Sequence, residues 1–339
     1  MAKSFLLTLF FLLSCSHVNN HNTFSGNIFG TFYQIKYENN NSSIDNLKIE
    51  ALINRIFDKI DNSMSLYKKD SEINKINNLD IIKNYQISDD LYYVLSKALN
   101  YCKSTGNAFN PTIDSVIELW GFGVNLGNKN VPDSLSIVEF LEHARCNKIR
   151  LNKENQSLTK LDKDINLNLN AIAKGYTVDL IHEMFKKNKI DNYMINIGGE
   201  IRTSGVNFNN KKWKIDIAYP DTLNNYNQSI LSLGLSNHSI ATSGNYNNYF
   251  IENEKMYSHI FKPDTGYPIS NNVISATIIS KNCIDADALA TASMVLGTSA
   301  LNLVNYNDSI GVCLIMYDYN SNTPRIHFNE YFEEFIILD

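Results

Sequence analysis

Several common signatures are missing from these 339 residues. No two cysteines stand two residues apart, which argues against a zinc knuckle. There is no basic excess: 30 Lys and Arg against 35 Asp and Glu leave a net charge of −5, and that disfavours binding held by nucleic-acid phosphates. No apolar run is long enough to span a bilayer. No long Pro, Gly or Ser linker divides the chain, and no short-period repeat recurs along it. What is present is an ordinary globular balance, 44% hydrophobic and 19% charged. That balance excludes a wholly disordered chain, a collagen and a coiled coil. Asn is abundant throughout, and several Asn fall inside the motifs below. One compact α+β unit is expected.

The first residues read as an address. Lys3 precedes an apolar run from Phe5 to Leu13, the length of a signal-peptide core. The run ends in Leu12-Leu13-Ser14-Cys15, which resembles the bacterial lipobox. Residues 1–14 are therefore expected to be a lipoprotein signal peptide, with Cys15 the lipidated first residue of the mature chain. Residues 15–27 are polar and are expected to be a tether, leaving 28–339 as the catalytic domain. Cys102, Cys146, Cys283 and Cys313 could pair in three ways or stay as buried thiols, and spacing does not choose among these.

Periodicity predicts strands at 32–37, 193–197, 213–218, 273–280, 310–317 and 331–338, and helices at 44–60, 88–102 and 285–296. Four constellations lie on this frame. Asp287 and Thr291 are four apart on one helical face, an oxygen pair suited to Mg²⁺, with Asp285 placed to cap the same helix. Taken alone, Asp287 could equally be a first-turn acid favoured by the helix dipole. Lys174 heads a helix beside Gly175, where an anion could be met; a solvated Lys is the plainer alternative. Glycine turns follow apolar strands at 196–200 and 241–244. His259 stands before the Pro and Gly turn of 260–268.

In order, the segments SLYKKDSEINKIN (65–77), GNAFNPT (106–112), WGFG (120–123), AIAKGY (171–176), NIGGEI (196–201), ATSGNY (241–246), SHIFKPDTGYPI (258–269) and DALAT (287–291) resemble one family from about residue 30 to 297. That family is the FAD:protein FMN transferases, ApbE-type flavin transferases that are commonly lipoproteins. The resemblance implies a duplicated tunnelling-fold-like core with FAD in a cleft between the halves. It implies Mg-dependent transfer of FMN from FAD to a Thr or Ser hydroxyl of a target protein, releasing AMP. Targets would be flavoprotein subunits of membrane redox complexes, of sodium-pumping quinone reductase or Rnf type. The protein would sit in the cell envelope, lipid-anchored to a bacterial membrane and facing the periplasm or exterior. An FAD pyrophosphatase giving FMN and AMP, or a non-catalytic FAD-binding lipoprotein, are the alternatives.

Carried over by position, Asp287 and Thr291 match metal-binding side chains, and Ala171 matches a metal-binding backbone carbonyl. Phe29, Tyr67, Ala108, Phe109, Asn110, Asn168, Lys174 and Phe261 match flavin-nucleotide contacts, and His259 is the candidate for assisting the acceptor hydroxyl. The sequence departs from the family pattern in places. Phe29 stands for Met, Asn110 and Asn168 for Asp, Asn170 and Ala171 for Gly, and Lys262 for Asp. Asn keeps an acceptor oxygen but loses the charge.

Overall fold

The computed structural model describes residues 21–337, apart from 41–43, 125–126, 128, 221–227, 247, 307–309 and 322. Residues 1–14 and Cys15, read as signal and lipid site, lie outside the described residues.

Alternation of buried and exposed side chains builds the central sheet. Tyr33, Ile35 and Tyr37 turn inward along one strand, and Ile195 and Ile197 do so along its neighbour. The sheet has eight strands: β1 (His21–Ile28), β2 (Thr31–Glu38), β3 (Tyr193–Ile197), β4 (Glu200–Ser204), β5 (Ser239–Gly244), β6 (Val273–Ser280), β7 (Gly311–Asp318) and β8 (Thr323–Phe328). They lie side by side in chain order, each antiparallel to the next.

The helices that position the site are α1 (Asn46–Met64), α2 (Asp89–Ser104), α3 (Asp114–Leu119), α4 (Ala173–Lys187) and α5 (Cys283–Leu296). Each half of the sheet then reads hairpin, helix, hairpin: β1–β2, α4, β3–β4, followed by β5–β6, α5, β7–β8. Each half also carries an insertion. Residues 39–172 interrupt the first half after β2, and 245–272 interrupt the second after β5. One face of the sheet packs on α1, α4 and α5. The other is covered by the paired strands Trp213–Ala218 and Ser229–Leu235 together with Phe332 and Phe335.

Helices α4 and α5 meet at Gly175. A Cβ there would lie 2.4 Å from the Cys283 carbonyl oxygen and 2.8 Å from the Asp287 Cβ, so no side chain fits. Asp179 of α4 accepts hydrogen bonds from the backbone N–H of Cys283 (2.8 Å) and of Ile284 (2.9 Å), satisfying the start of α5 from outside it. Asp285 does not cap α5 as expected. Its carboxylate instead accepts from Lys97 Nζ, Tyr101 Oη and Asn282 Nδ2.

Two other expectations are corrected. Residues 21–27, read as tether, form most of β1 and pair with residues 32–38 of β2. The predicted strand 331–338 is a helical turn, Glu330–Glu333, capped by Asn329, whose side chain accepts from the Phe332 N–H at 3.0 Å. Its apolar residues Phe332 and Phe335 are three apart and are both buried, a helical spacing rather than an alternating one.

Cys102 and Cys146 are joined by a disulfide across 44 residues, while Cys283 and Cys313 are buried thiols. Closing a loop of that length restricts the unfolded chain. Cys102→Ser combined with Cys146→Ser is expected to cost about 2–4 kcal/mol, read as a lower denaturation midpoint that added reductant no longer shifts.

Candidate functional site

The two insertions face each other across a cleft of about 500 Å³. Its first wall is built from the inserted residues of the first half: Tyr67, Ala108, Phe109, Asn110, Asp114, Asn168 and Ala171. Its second wall comes from the second half: Thr242, Ser243, Asn248, His259, Phe261 and Thr291. Nine of the residues singled out in the sequence therefore meet here, from segments far apart in the chain. Phe29 and Lys174 line an adjoining hollow of about 190 Å³ that shares Tyr67 and Asn170 with the cleft. Phe29 holds φ +52 in the two-residue turn between β1 and β2, a conformation costly for a bulky side chain.

Asp287 lies beneath the cleft and is buried. Its Oδ2 accepts from the Gly175 N–H at 2.9 Å. Lys174 does not extend freely from the helix start as a phosphate contact would. Its Nζ sits 3.0 Å from Glu200 Oε1 and 3.9 Å from Asp287 Oδ1. Burial pulls the ammonium down, but Asp287 and Glu200 outweigh burial and raise it above its ordinary value. Burial also raises both carboxylates, against the pull of Lys174. Glu200 Oε2 is buried without a hydrogen-bond partner. Two carboxylates thus share one ammonium, and one oxygen remains unsatisfied.

That donor set suits a hard cation. Asp287 offers an anionic oxygen, Thr291 offers a hydroxyl one turn further along α5, and Ala171 lines the same cleft as Thr291. Thr291 Oγ1 is 3.2 Å from Ser243 Oγ. A second trio, His143, Asp162 and Asp164, clusters elsewhere, but the Lys148 ammonium already contacts Asp162 there.

His259 follows the strand Lys255–Ser258 and is anchored twice to Asn248. Its N–H donates to the Asn248 carbonyl at 3.1 Å, and its Nδ1 is 3.0 Å from the same oxygen. A carbonyl only accepts, so Nδ1 carries the hydrogen and Nε2 keeps a lone pair. Burial lowers the His259 pKa and outweighs the Asn248 bond, which raises it, so its surroundings favour the uncharged ring.

The departures from the family pattern resolve individually. Lys262 is exposed and is absent from the cleft lining, so its reversed charge meets solvent. Its carbonyl closes the turn by accepting from Thr265 and Gly266. Asn110 borders the cleft, but its amide builds the local turn: Oδ1 accepts from Thr112 N and Oγ1, both at 2.7 Å, and Nδ2 donates to Ala144 O at 3.0 Å. Phe261 packs with Trp120, whose Nε1 donates to Gly266 O, fixing the second wall to the WGFG segment. Three acidic groups had been given no part in the sequence reading. Glu200 sat in a recognised motif but was assigned no part. Asp179 closes the stretch that follows AIAKGY, and Asp114 stands two residues after GNAFNPT, but neither was given a part.

Asp114 is buried, and burial raises its pKa to about 6 against the Asn168 bond that lowers it. A carboxyl raised in the folded state holds a proton that the unfolded chain has released. Stability from it is present below the ordinary value of 3.8 and is lost as pH rises through about 6. Asp114→Asn is expected to remove about 2–3 kcal/mol of that decline, read by denaturation at a pH below 4 and again above 7.

The comparisons with known proteins agree with this geometry. The sequence profile of the ApbE family matches residues 29–314. A FAD:protein FMN transferase of Vibrio cholerae is 33% identical over 316 residues, 92% of this chain and 92% of that protein. One of Haemophilus influenzae is 34% identical over 309 residues, 90% of this chain and 89% of its own. The solved flavin transferase ApbE of Vibrio cholerae superposes with a TM-score of 0.84 at 29% identity, covering 93% of this chain and 99% of that one. The apo flavinyl transferase ApbE of Pseudomonas stutzeri gives 0.84 at 25% identity, covering 93% and 96%. Matched over nearly its whole described length in sequence and in fold, the chain belongs to the ApbE family.

Proposed function

We propose that this chain transfers the FMN half of FAD to a Thr or Ser hydroxyl of a flavoprotein, releasing AMP. The observation that carries this reading is one cleft lined by His259, Thr291 and Ala171, with the buried Asp287 carboxylate one helical turn from Thr291 on α5. The relatives named for this activity support it.

Phosphoryl transfer is largely positioning and charge neutralisation. His259 Nε2 takes the proton of the acceptor hydroxyl, while the Nδ1 bond to Asn248 keeps the ring in the required tautomer. Asp287, Thr291 and the Ala171 carbonyl would hold Mg²⁺, which when bound supplies charge neutralisation at the pyrophosphate. Lys174 keeps Asp287 and Glu200 in place as a shared counter-charge. Tyr67 and Phe261 offer aromatic surface for the nucleotide, and Ser243 fixes the Thr291 hydroxyl.

The address fits the same reading. Lipid attachment at Cys15 would hold the enzyme at the envelope face of a bacterial membrane, beside acceptor subunits of quinone-reductase or Rnf type. Among the described residues no helix is long and apolar enough to cross a membrane, and the proposed anchor needs none.

Three variants test the chemistry, with covalent flavin on an acceptor subunit read by fluorescence in a denaturing gel and free FMN counted alongside. Asp287→Ala is expected to lose both products by a hundredfold or more, since several kcal/mol of charge stabilisation go with the metal. His259→Ala is expected to slow transfer by about 10²–10⁴-fold while FAD still binds. Thr291→Ala should fall between wild type and Asp287→Ala, because water replaces a neutral ligand. Near-normal transfer by Asp287→Ala would refute the site as drawn. Separately, Cys15→Ser is expected to leave the membrane fraction and to take up no labelled lipid.

A further inference from the structure

Asp114 is the only Asp, Glu, Lys or Arg among the described residues lining the cleft. Its surroundings are fixed on one side. Asn168 Oδ1 accepts from the Asn170 backbone N–H at 2.9 Å, so the amide can only point its Nδ2 the other way. That Nδ2 donates to Asp114 Oδ1 at 2.7 Å. The remaining carboxylate oxygen has no protein donor among the described residues. Asp114 borders the cleft, so an acceptor there is available to a donor that enters it.

We propose that Asp114 is a substrate-binding residue that accepts a hydrogen bond from a donor group of the bound flavin nucleotide and so fixes which way round the dinucleotide lies. This rests on the reading of the cleft as the FAD site. An ionised carboxylate accepts and does not donate. FAD carries donors at the flavin imide N–H, the sugar hydroxyls and the adenine amino group, whereas its pyrophosphate has only acceptor oxygens and is anionic. Asp114 therefore attracts the donor-bearing part and repels the pyrophosphate. On the second wall Thr291, with Asp287 one turn earlier on α5, is suited to the reverse arrangement through the cation that they would hold. One wall selects donors, the other phosphates, and a nucleotide bound in the wrong sense would put anion against anion.

The full-length protein, free of added metal, is titrated with FAD and, separately, with inorganic pyrophosphate, following flavin fluorescence and heat. Asp114→Asn is expected to bind FAD roughly tenfold or more weakly, as for a lost bond to a charged group, and to bind pyrophosphate at least as well as wild type. Exchanging the two groups, Asp114→Asn with Asn168→Asp, moves the carboxylate to the other end of the same hydrogen bond with no change of atom count. It is expected to recover FAD affinity to within about threefold of wild type; because the exchange also restores the internal hydrogen bond, the readout that a merely structural part for Asp114 would not leave intact is undiminished pyrophosphate binding by Asp114→Asn alone. Thermal denaturation of each variant confirms folding. Wild-type FAD affinity in Asp114→Asn overturns the proposal, and so does a folded exchange variant that recovers nothing. If wild type itself binds no FAD, the reading of the cleft falls and the proposal with it, a result distinguishable from equal binding by all three proteins.

Discussion

The cleft depends on one close approach, that of α4 to α5 at Gly175. Gly175 brings the start of α4 against α5, and its N–H holds the Asp287 carboxylate. A few residues further along α4, Asp179 holds the first turn of α5. Because α4 belongs to the first half of the sheet and α5 to the second, this contact also sets how the two inserted walls face each other. A single absent Cβ thus governs both the position of the anionic oxygen and the register of the halves.

Below the cleft, charge is arranged at a cost. Glu200 and Asp287 are both buried, and the Lys174 ammonium only partly compensates them. Buried ion groups are weak evidence of stability, and one with an unpartnered oxygen is weaker still. Such an arrangement makes sense in a site prepared for positive charge, since further neutralisation relieves repulsion that folding alone leaves in place. His259 shows the complementary device: burial favours the uncharged form of a base, and one carbonyl chooses its tautomer.

Much of this was legible in the sequence, and the failures have physical causes. Strands 193–197, 213–218 and 273–280 were found with their ends intact, because alternation and flanking turns mark them sharply. The segment 331–338 misled because β-forming aromatics there bury at a spacing of three, which a short window does not separate from alternation. The motifs assembled as expected around the cleft because their residues are fixed by local turns. The ion pair of Lys174 was not foreseen because its partner Glu200 arrives from the β3–β4 hairpin, and nothing near Lys174 in the chain announces it. Asp114 was given no part for a related reason. Its significance comes from Asn168, 54 residues away, and from being the lone carboxylate on a wall that only the fold assembles.

The disulfide has a further meaning when placed beside the cleft. Cys102 ends just before the segment that supplies Ala108, Phe109 and Asn110, and Cys146 lies two residues beyond Ala144, whose carbonyl receives the Asn110 amide. The bond therefore clamps both margins of the nucleotide wall rather than some remote part of the chain. In a reducing milieu that wall is held by packing and hydrogen bonds; in an oxidising one it is also covalently stapled. The firmness of the binding surface is in this way tied to the redox poise around the chain: with the two thiols reduced, the same residues stand on a slacker frame.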